Sequence, residues 1–197
     1  MPTRCGVGTE KMQTIYTDRL TLEPQIAAHA DAMFIVLSDP AIYEYESQAP
    51  TSVEGLRERF QALESRQSRD GSQQWLNWVI RLPTSELIGY TQATLYRDGR
   101  AAIAYELHSA YWGRGLASAA VRAVIAHLGA HYPVQIVSAV LKKENQRSMR
   151  LLQRLGFSLA SPVQHEELEV ERNEFLMLRS PRGAKADSTL PCQIDPP

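Results

Sequence analysis

The sequence predicts an α/β domain of the α+β kind: a mixed, mostly antiparallel central sheet with helices on both faces, in the order βααβββαβαββ. Three observations carry that expectation. The apolar period switches between helical and alternating along the chain, three strand patterns follow one another over 74–108, and a strand, a long helix and another strand then occur in succession. That last succession calls for a parallel, right-handed crossover. A chain of 197 residues removes roughly 70% of its extended surface from water on folding, so one core sustains it without a metal or disulfide framework.

Residues 1–13 and 180–197 are rich in Gly, Pro, Ser and charge without periodicity, and read as disordered ends around a folded unit at 14–179. The first strand runs from Ile15 to Leu22, with Pro24 ending it. Ala28, Ala32, Ile35 and Val36 then recur at helical spacing until Ser38-Asp39-Pro40, and a second helix follows N-cap Ser52 with Val53, Leu56, Phe60 and Leu63 as its stripe. Strand patterns at 75–82, 87–96 and 101–108, joined by turns at 83–85 and 97–100, make an antiparallel meander. Helical spacing returns over 115–131 through Leu116, Ala120, Val124 and Leu128, closed by Pro133; a β-branched strand occupies 134–141. A helix over 145–155 stops at Gly156, and strands from Phe157 and over 173–179 complete the sheet.

Charge narrows the function. With 21 Lys+Arg against 22 Asp+Glu the formal charge is −1, which lacks the positive field of a dedicated nucleic-acid binder. Any anionic ligand must be met locally. The opening residues offer no apolar stretch of the length a secretion signal needs, no run of 18 apolar residues occurs, and Cys5 and Cys192 lie in the end segments rather than in a disulfide framework. The expectation is a cytoplasmic protein without a membrane partner.

The chemistry points first to Tyr111-Trp112-Gly113-Arg114-Gly115-Leu116-Ala117-Ser118, where two glycines separate a strand from a long helix. Glycine lets backbone approach a ligand closely, and the free N–H groups of a helix start attract phosphate oxygens. A tight turn with no ligand would use the same glycines. A dinucleotide fingerprint is disfavoured, because Ser118 stands where a third glycine or alanine belongs and Gln135 replaces the acid about 20 residues on. A second segment supports the phosphate reading: Lys142, Lys143, Arg147, Arg150 and Arg154 face only Glu144, an excess of four positive charges. The alternative for that strip is a solvated helix face.

These residues resemble the GNAT superfamily of N-acetyltransferases, in the branch of the ribosomal-protein N-terminal acetyltransferases. The likeness spans about 15–179 and rests on Thr17-Asp18-Arg19-Leu20, Leu87-Ile88-Gly89-Tyr90, Ile103 to His108, Trp112 to Ala117, and Asn145-Gln146-Arg147-Ser148 running into Leu155-Gly156-Phe157. The resemblance implies that positions 112 to 118 bind the pyrophosphate of acetyl-coenzyme A, and that the strand ending Glu106-Leu107-His108 splays from the 134–141 strand to admit the pantetheine arm. It implies coenzyme contacts at Asn145 and a Ser148 hydroxyl near the sulfur. Trp112 stands where the family usually has Gln or Arg, and Leu152 stands where other branches place a thiolate-protonating Tyr. Dimers are usual among such proteins. The acetyl group would pass directly to an amine, peptide N-terminus or small molecule, in a ternary complex; the rival is a non-catalytic acetyl-CoA-binding module.

Amine acetylation needs a proton acceptor, a polarised carbonyl and a stabilised thiolate. Strand alternation puts Ala102, Ala104 and Glu106 on one face, making Glu106 the leading base and His108 the reserve. Tyr43-Glu44-Tyr45-Glu46 offers Tyr43 and Tyr45 to a cationic acceptor, as does Glu167, which shares a face with Glu169 and Glu171 if that segment is extended. Solvated edges explain those acids equally. His127 and His131 have a metal-ligand spacing, but no third ligand or adjacent Glu accompanies them, so no metal is expected.

Overall fold

A computed structural model describes residues 12–45 and 48–181. The expected disorder over 1–11 and 182–197, both cysteines and Glu46 lie outside the described residues. Eight strands form one sheet in the order β1-β2-β3-β4-β5-β6-β8-β7. They are β1 (Ile15–Tyr16), β2 (Thr21–Pro24), β3 (Gln73–Arg81), β4 (Leu87–Tyr96), β5 (Arg100–Leu107), β6 (Ile136–Lys142), β7 (Ser158–Leu159) and β8 (Glu174–Arg179). Every neighbouring pair is antiparallel except β5 and β6.

Five α-helices accompany the strands among the described residues: α1 (Ala30–Leu37), α2 (Val53–Leu63), α3 (Leu116–His131), α4 (Gln146–Arg154) and α5 (Pro162–Glu167). Helices α3 and α4 bury one stripe each against the larger core around Trp78, Ile80 and Ile103, while α1 and α2 close the opposite face over Val79 and Leu87. None of these helices is long and apolar enough to cross a membrane.

The meander, the parallel crossover and both long helices stand as the periodicity predicts. The order differs in two places. The expected first strand is a hairpin of β1 and β2, because the Thr17 hydroxyl accepts the N–H groups of Arg19 and Leu20 and bends the chain there. Helix α5 is inserted between β7 and β8, where Ser161 and Gln164 form a reciprocal cap and Pro162 fits the first turn. The stripe of α1 is also shifted: Ala30, Met33, Val36 and Leu37 are buried, whereas Ile35 is 73% exposed.

Near the N-terminus, Met12 packs against the core and the Gln13 carbonyl accepts the Trp78 indole N–H at 3.0 Å. A fully buried indole needs such an acceptor, so Met12 and Gln13 belong to the packed body. Helix α4 ends as its sequence predicts: Gly156 has φ +84°, and the N–H groups of Gly156 and Phe157 reach back to the carbonyls of Gln153 and Leu152.

Candidate active site

Strand β5 stands at the centre of the site, because its two faces and its free edge serve different purposes. After Leu107 the chain makes a short 3-10 turn over Ser109–Tyr111 and reaches Gly113 and Gly115, both at φ +74°. A side chain at that angle is strained by roughly 1–2 kcal/mol, which is why glycine recurs. Gly115 caps α3 without a side-chain acceptor, and the first helical bond runs from the Ala119 N–H to the Gly115 carbonyl at 3.0 Å. The N–H groups of Gly115, Leu116, Ala117 and Ser118 therefore have no partner among the described residues, and the helix dipole adds to their attraction for anions. Gly113, Arg114 and Gly115 are exposed while Leu116 anchors the turn in the core. Arg19 donates to the Arg114 carbonyl at 2.9 Å and brings a second cation to this turn.

Strands β5 and β6 pair only from Arg100–Ile136 to Ala102–Ser138. Beyond that they separate. The His108 N–H donates to the Ile88 carbonyl on the β4 side, so by strand alternation the N–H groups of Tyr105 and Leu107 face the gap. The Trp112 indole donates to the Leu107 carbonyl at 2.8 Å and ties the glycine turn to the end of β5. Across the gap, Asn145 caps α4 by accepting the Ser148 N–H at 3.0 Å. The Ser148 hydroxyl lies 2.6 Å from the Tyr105 hydroxyl. Burial pushes the Tyr105 phenol up to about 12, so it keeps its proton near neutrality.

The opposite face of β5 carries Glu106. A narrow cavity of about 70 Å³ is lined there by Glu106, Tyr90, Gln92, Gln25, Tyr43 and Arg59, among others. Tyr90 sits directly across from Glu106 on β4 and hydrogen-bonds to it; burial first and the carboxylate second hold the Tyr90 phenol well above its ordinary range. Burial, aided by the Glu106 charge, also raises Tyr43, to about 12. A turn of exposed backbone donors and a carboxylate-bearing cavity thus lie at the two sides of one strand.

An acetyltransferase (GNAT) domain description matches residues 19–158 of this chain. The chain belongs to the GNAT acetyltransferase family. It is 32% identical over 149 residues to the uncharacterized N-acetyltransferase p20 of Bacillus licheniformis, covering 74% of this chain and 83% of that protein. The structure of RimL, a ribosomal L7/L12 α-N-protein acetyltransferase in complex with coenzyme A, superposes with a TM-score of 0.70 at 18% identity, over 85% of this chain and 98% of that one. The ribosomal-protein-S5-alanine acetyltransferase from Vibrio fischeri gives 0.70 at 15% identity, over 88% and 99%. At those identities the likeness is one of fold.

As a GNAT acetyltransferase, the protein uses an acyl-CoA, and the turn, the gap and the free N–H groups fit such a ligand. The remaining sequence candidates are distributed unequally. Arg147 stacks 3.7 Å over the Trp112 ring and reaches within 3.9 Å of the Glu44 carboxylate, bridging the glycine turn and the segment after α1. Tyr45 lies beside Glu44 and is absent from the cavity lining that includes Tyr43. His108 caps the 3-10 turn by accepting the Ala110 N–H and lies 3.6 Å from Asp39. Glu167 ends α5, and Glu169 has φ +50° in the turn beyond it, so the extended acidic face expected over 166–171 does not form. Glu171 instead pairs with Lys142 at 2.9 Å.

His127 is buried: it packs against Trp78, and its ring lies 4.3 Å from that of His131. Burial lowers its pKa, with the neighbouring histidine adding to the effect, so it folds neutral. Three residues escaped the sequence reading as site residues. Tyr105 lies on the face of its strand opposite Ala102, Ala104 and Glu106, Tyr90 lies within the Leu87–Tyr90 motif without a role, and Arg19 belongs to the opening Thr17–Leu20 motif. The facing position of Tyr90 to Glu106 in the meander was a usable signal.

Proposed function

We propose that the protein moves the acetyl group of acetyl-CoA directly to a primary amine, a peptide or protein N-terminus or a small amine, with both substrates bound at once. The observation that supports this reading best is the pair of openings on β5. The helix-start donors and Arg114 face one ligand, and Glu106 lines the cavity for the other, so the backbone between them can hold an acyl carbon beside a nitrogen. The fold shared with ribosomal-protein acetyltransferases supports a protein N-terminus among the acceptors.

In this reading the N–H groups of residues 115 to 118 hold the pyrophosphate, Asn145 and Arg147 flank the coenzyme, and the N–H groups of Tyr105 and Leu107 polarise the thioester carbonyl. Glu106, directly or through water, takes the ammonium proton. Tyr105 donates to Ser148, which frees the Ser148 hydrogen for the departing sulfur. Tyr105→Phe is then expected to lower kcat about tenfold or more, as befits a hydrogen bond that supports a developing anion, with a smaller change in the acetyl-CoA Kd. An unchanged kcat removes the pair from thiolate stabilisation.

Calorimetry with acetyl-CoA, followed by thiol release against an amine panel, tests the whole reading. Coenzyme binding without release from any amine would favour the non-catalytic module. Gly115→Ala adds strain at φ +74° and a Cβ within 3.4 Å of an Arg19 nitrogen, and is expected to weaken acetyl-CoA binding by about tenfold. An unaltered Kd would place the pyrophosphate elsewhere.

A further inference from the structure

We propose that Arg59 makes the acceptor cavity selective for amines that carry no positive charge beyond the reacting nitrogen, so that diamines and lysine-like acceptors are poor substrates. This deepens the reading of the Glu106 cavity as the acceptor site and rests on it. Helix α2 presents Leu56, Arg59, Phe60 and Leu63 to that cavity, and steps of three, four and seven residues make one face of a helix. Three members of the face are apolar. The fourth is a guanidinium. The outer face of the same helix carries Glu54, Glu58 and Gln61, all exposed, so Arg59 is the charge that this helix turns toward the cavity. Arg59 is itself exposed: its stem follows the apolar wall and its head stays hydrated.

The cavity holds few charges. Among its described lining residues Glu106 is the one carboxylate and Arg59 the one cation, and the other polar groups are amides and phenols. The phenols add no negative charge near neutrality, since burial raises both Tyr43 and Tyr90. Arg59 opposes that rise at each of them, which places its guanidinium within electrostatic reach of Tyr43 and of the Tyr90 hydroxyl bonded to Glu106. Asp39, whose charge also acts on Tyr43, already accepts the N–H groups of Ala41 and Ser109. Once Glu106 serves the reacting nitrogen, a second ammonium therefore finds no carboxylate left in the cavity and faces Arg59. Two like charges roughly 10 Å apart at an effective dielectric constant of about 20 repel enough for about a tenfold preference. The same guanidinium favours the free amine over the ammonium at the reacting nitrogen, and the free amine is the form that attacks a thioester.

The test compares kcat/KM for thiol release from acetyl-CoA with two matched pairs, butylamine against putrescine and norleucinamide against lysinamide, each expressed per unprotonated amino group. The members of a pair share a carbon skeleton and differ by one ammonium. In whichever pair is turned over, the wild-type enzyme is expected to favour the singly charged member by about tenfold. Arg59→Lys should keep that preference, Arg59→Met should shrink it to about threefold or less, and Arg59→Glu should put the doubly charged member ahead. Raising salt to about 1 M should shrink the wild-type ratio as well, because the screening length falls to about 3 Å; a preference set by shape would not move. Melting temperatures of the variants should stay close to wild type, as the side chain is exposed, which separates charge from folding. A wild-type ratio near one, or an unchanged ratio in Arg59→Glu, overturns the inference while acetyl transfer beside Glu106 stands. No release from any of these amines overturns both.

Discussion

Replacing Glu106 with glutamine is expected to lower kcat/KM for amine acetylation by about 10²- to 10⁴-fold, the range a positioned general base contributes. The substitution preserves size and a hydrogen-bonding oxygen for Tyr90, so lost packing does not explain the drop. In the proposed arrangement acetyl-CoA binds at the edge of β5 that faces β6, so its Kd should move little by comparison. The residual rate of Glu106→Gln should rise with pH in step with the free amine alone, whereas the wild-type profile also carries the carboxylate. A variant with full rate would exclude Glu106 from proton transfer.

Gly89→Ala is expected to be the more damaging change to the fold. Leu107 and Gly89 face each other in a close, non-hydrogen-bonded pair. A Cβ at Gly89 would run into the Glu106 carbonyl oxygen and lie 2.9 Å from the Leu107 Cα. Backbone cannot rotate aside as a side chain can. A loss of about 3 kcal/mol or more follows, which for a chain of this length lowers Tm by roughly 10 °C, and any folded remainder carries a displaced Glu106. Gly113→Ala is the contrast: its Cβ meets nothing within 4 Å, so only φ strain of about 1 kcal/mol remains. Thermal melts and acetylation rates of the two variants check the difference; equal melting temperatures would refute the close-approach argument.

Much of this architecture is legible in the residues because local signals agree with tertiary demands. Ser52 caps α2, Gly156 ends α4, and the alternation of Ala102, Ala104 and Glu106 opposite Ile103 and Leu107 places one carboxylate in the cavity. The expectations that failed are those where a side chain competes with the pattern. The Thr17 hydroxyl breaks a continuous strand signal, the Ser161 cap turns an acidic stretch partly helical, and α1 is apolar on so many sides that its buried stripe cannot be fixed by period alone. Long-range pairings such as Tyr105 with Ser148, 43 residues apart, follow from the crossover geometry and leave no local trace.

In the proposed mechanism the two-residue alternation of β5 sets a phenol toward the thioester and, one position later, a carboxylate toward the amine. A slip of a single residue in this strand would exchange them, handing the proton acceptor to the leaving group and the proton donor to the nucleophile. The bend before it guards against that: Gly99 sits at φ +83° and Asp98 accepts the Arg100 N–H at 2.9 Å, so the hairpin starts its count in one place. Insertions at this bend should therefore abolish turnover out of proportion to their effect on melting, since the count of residues, more than their identity, keeps the two halves of the reaction on their own sides.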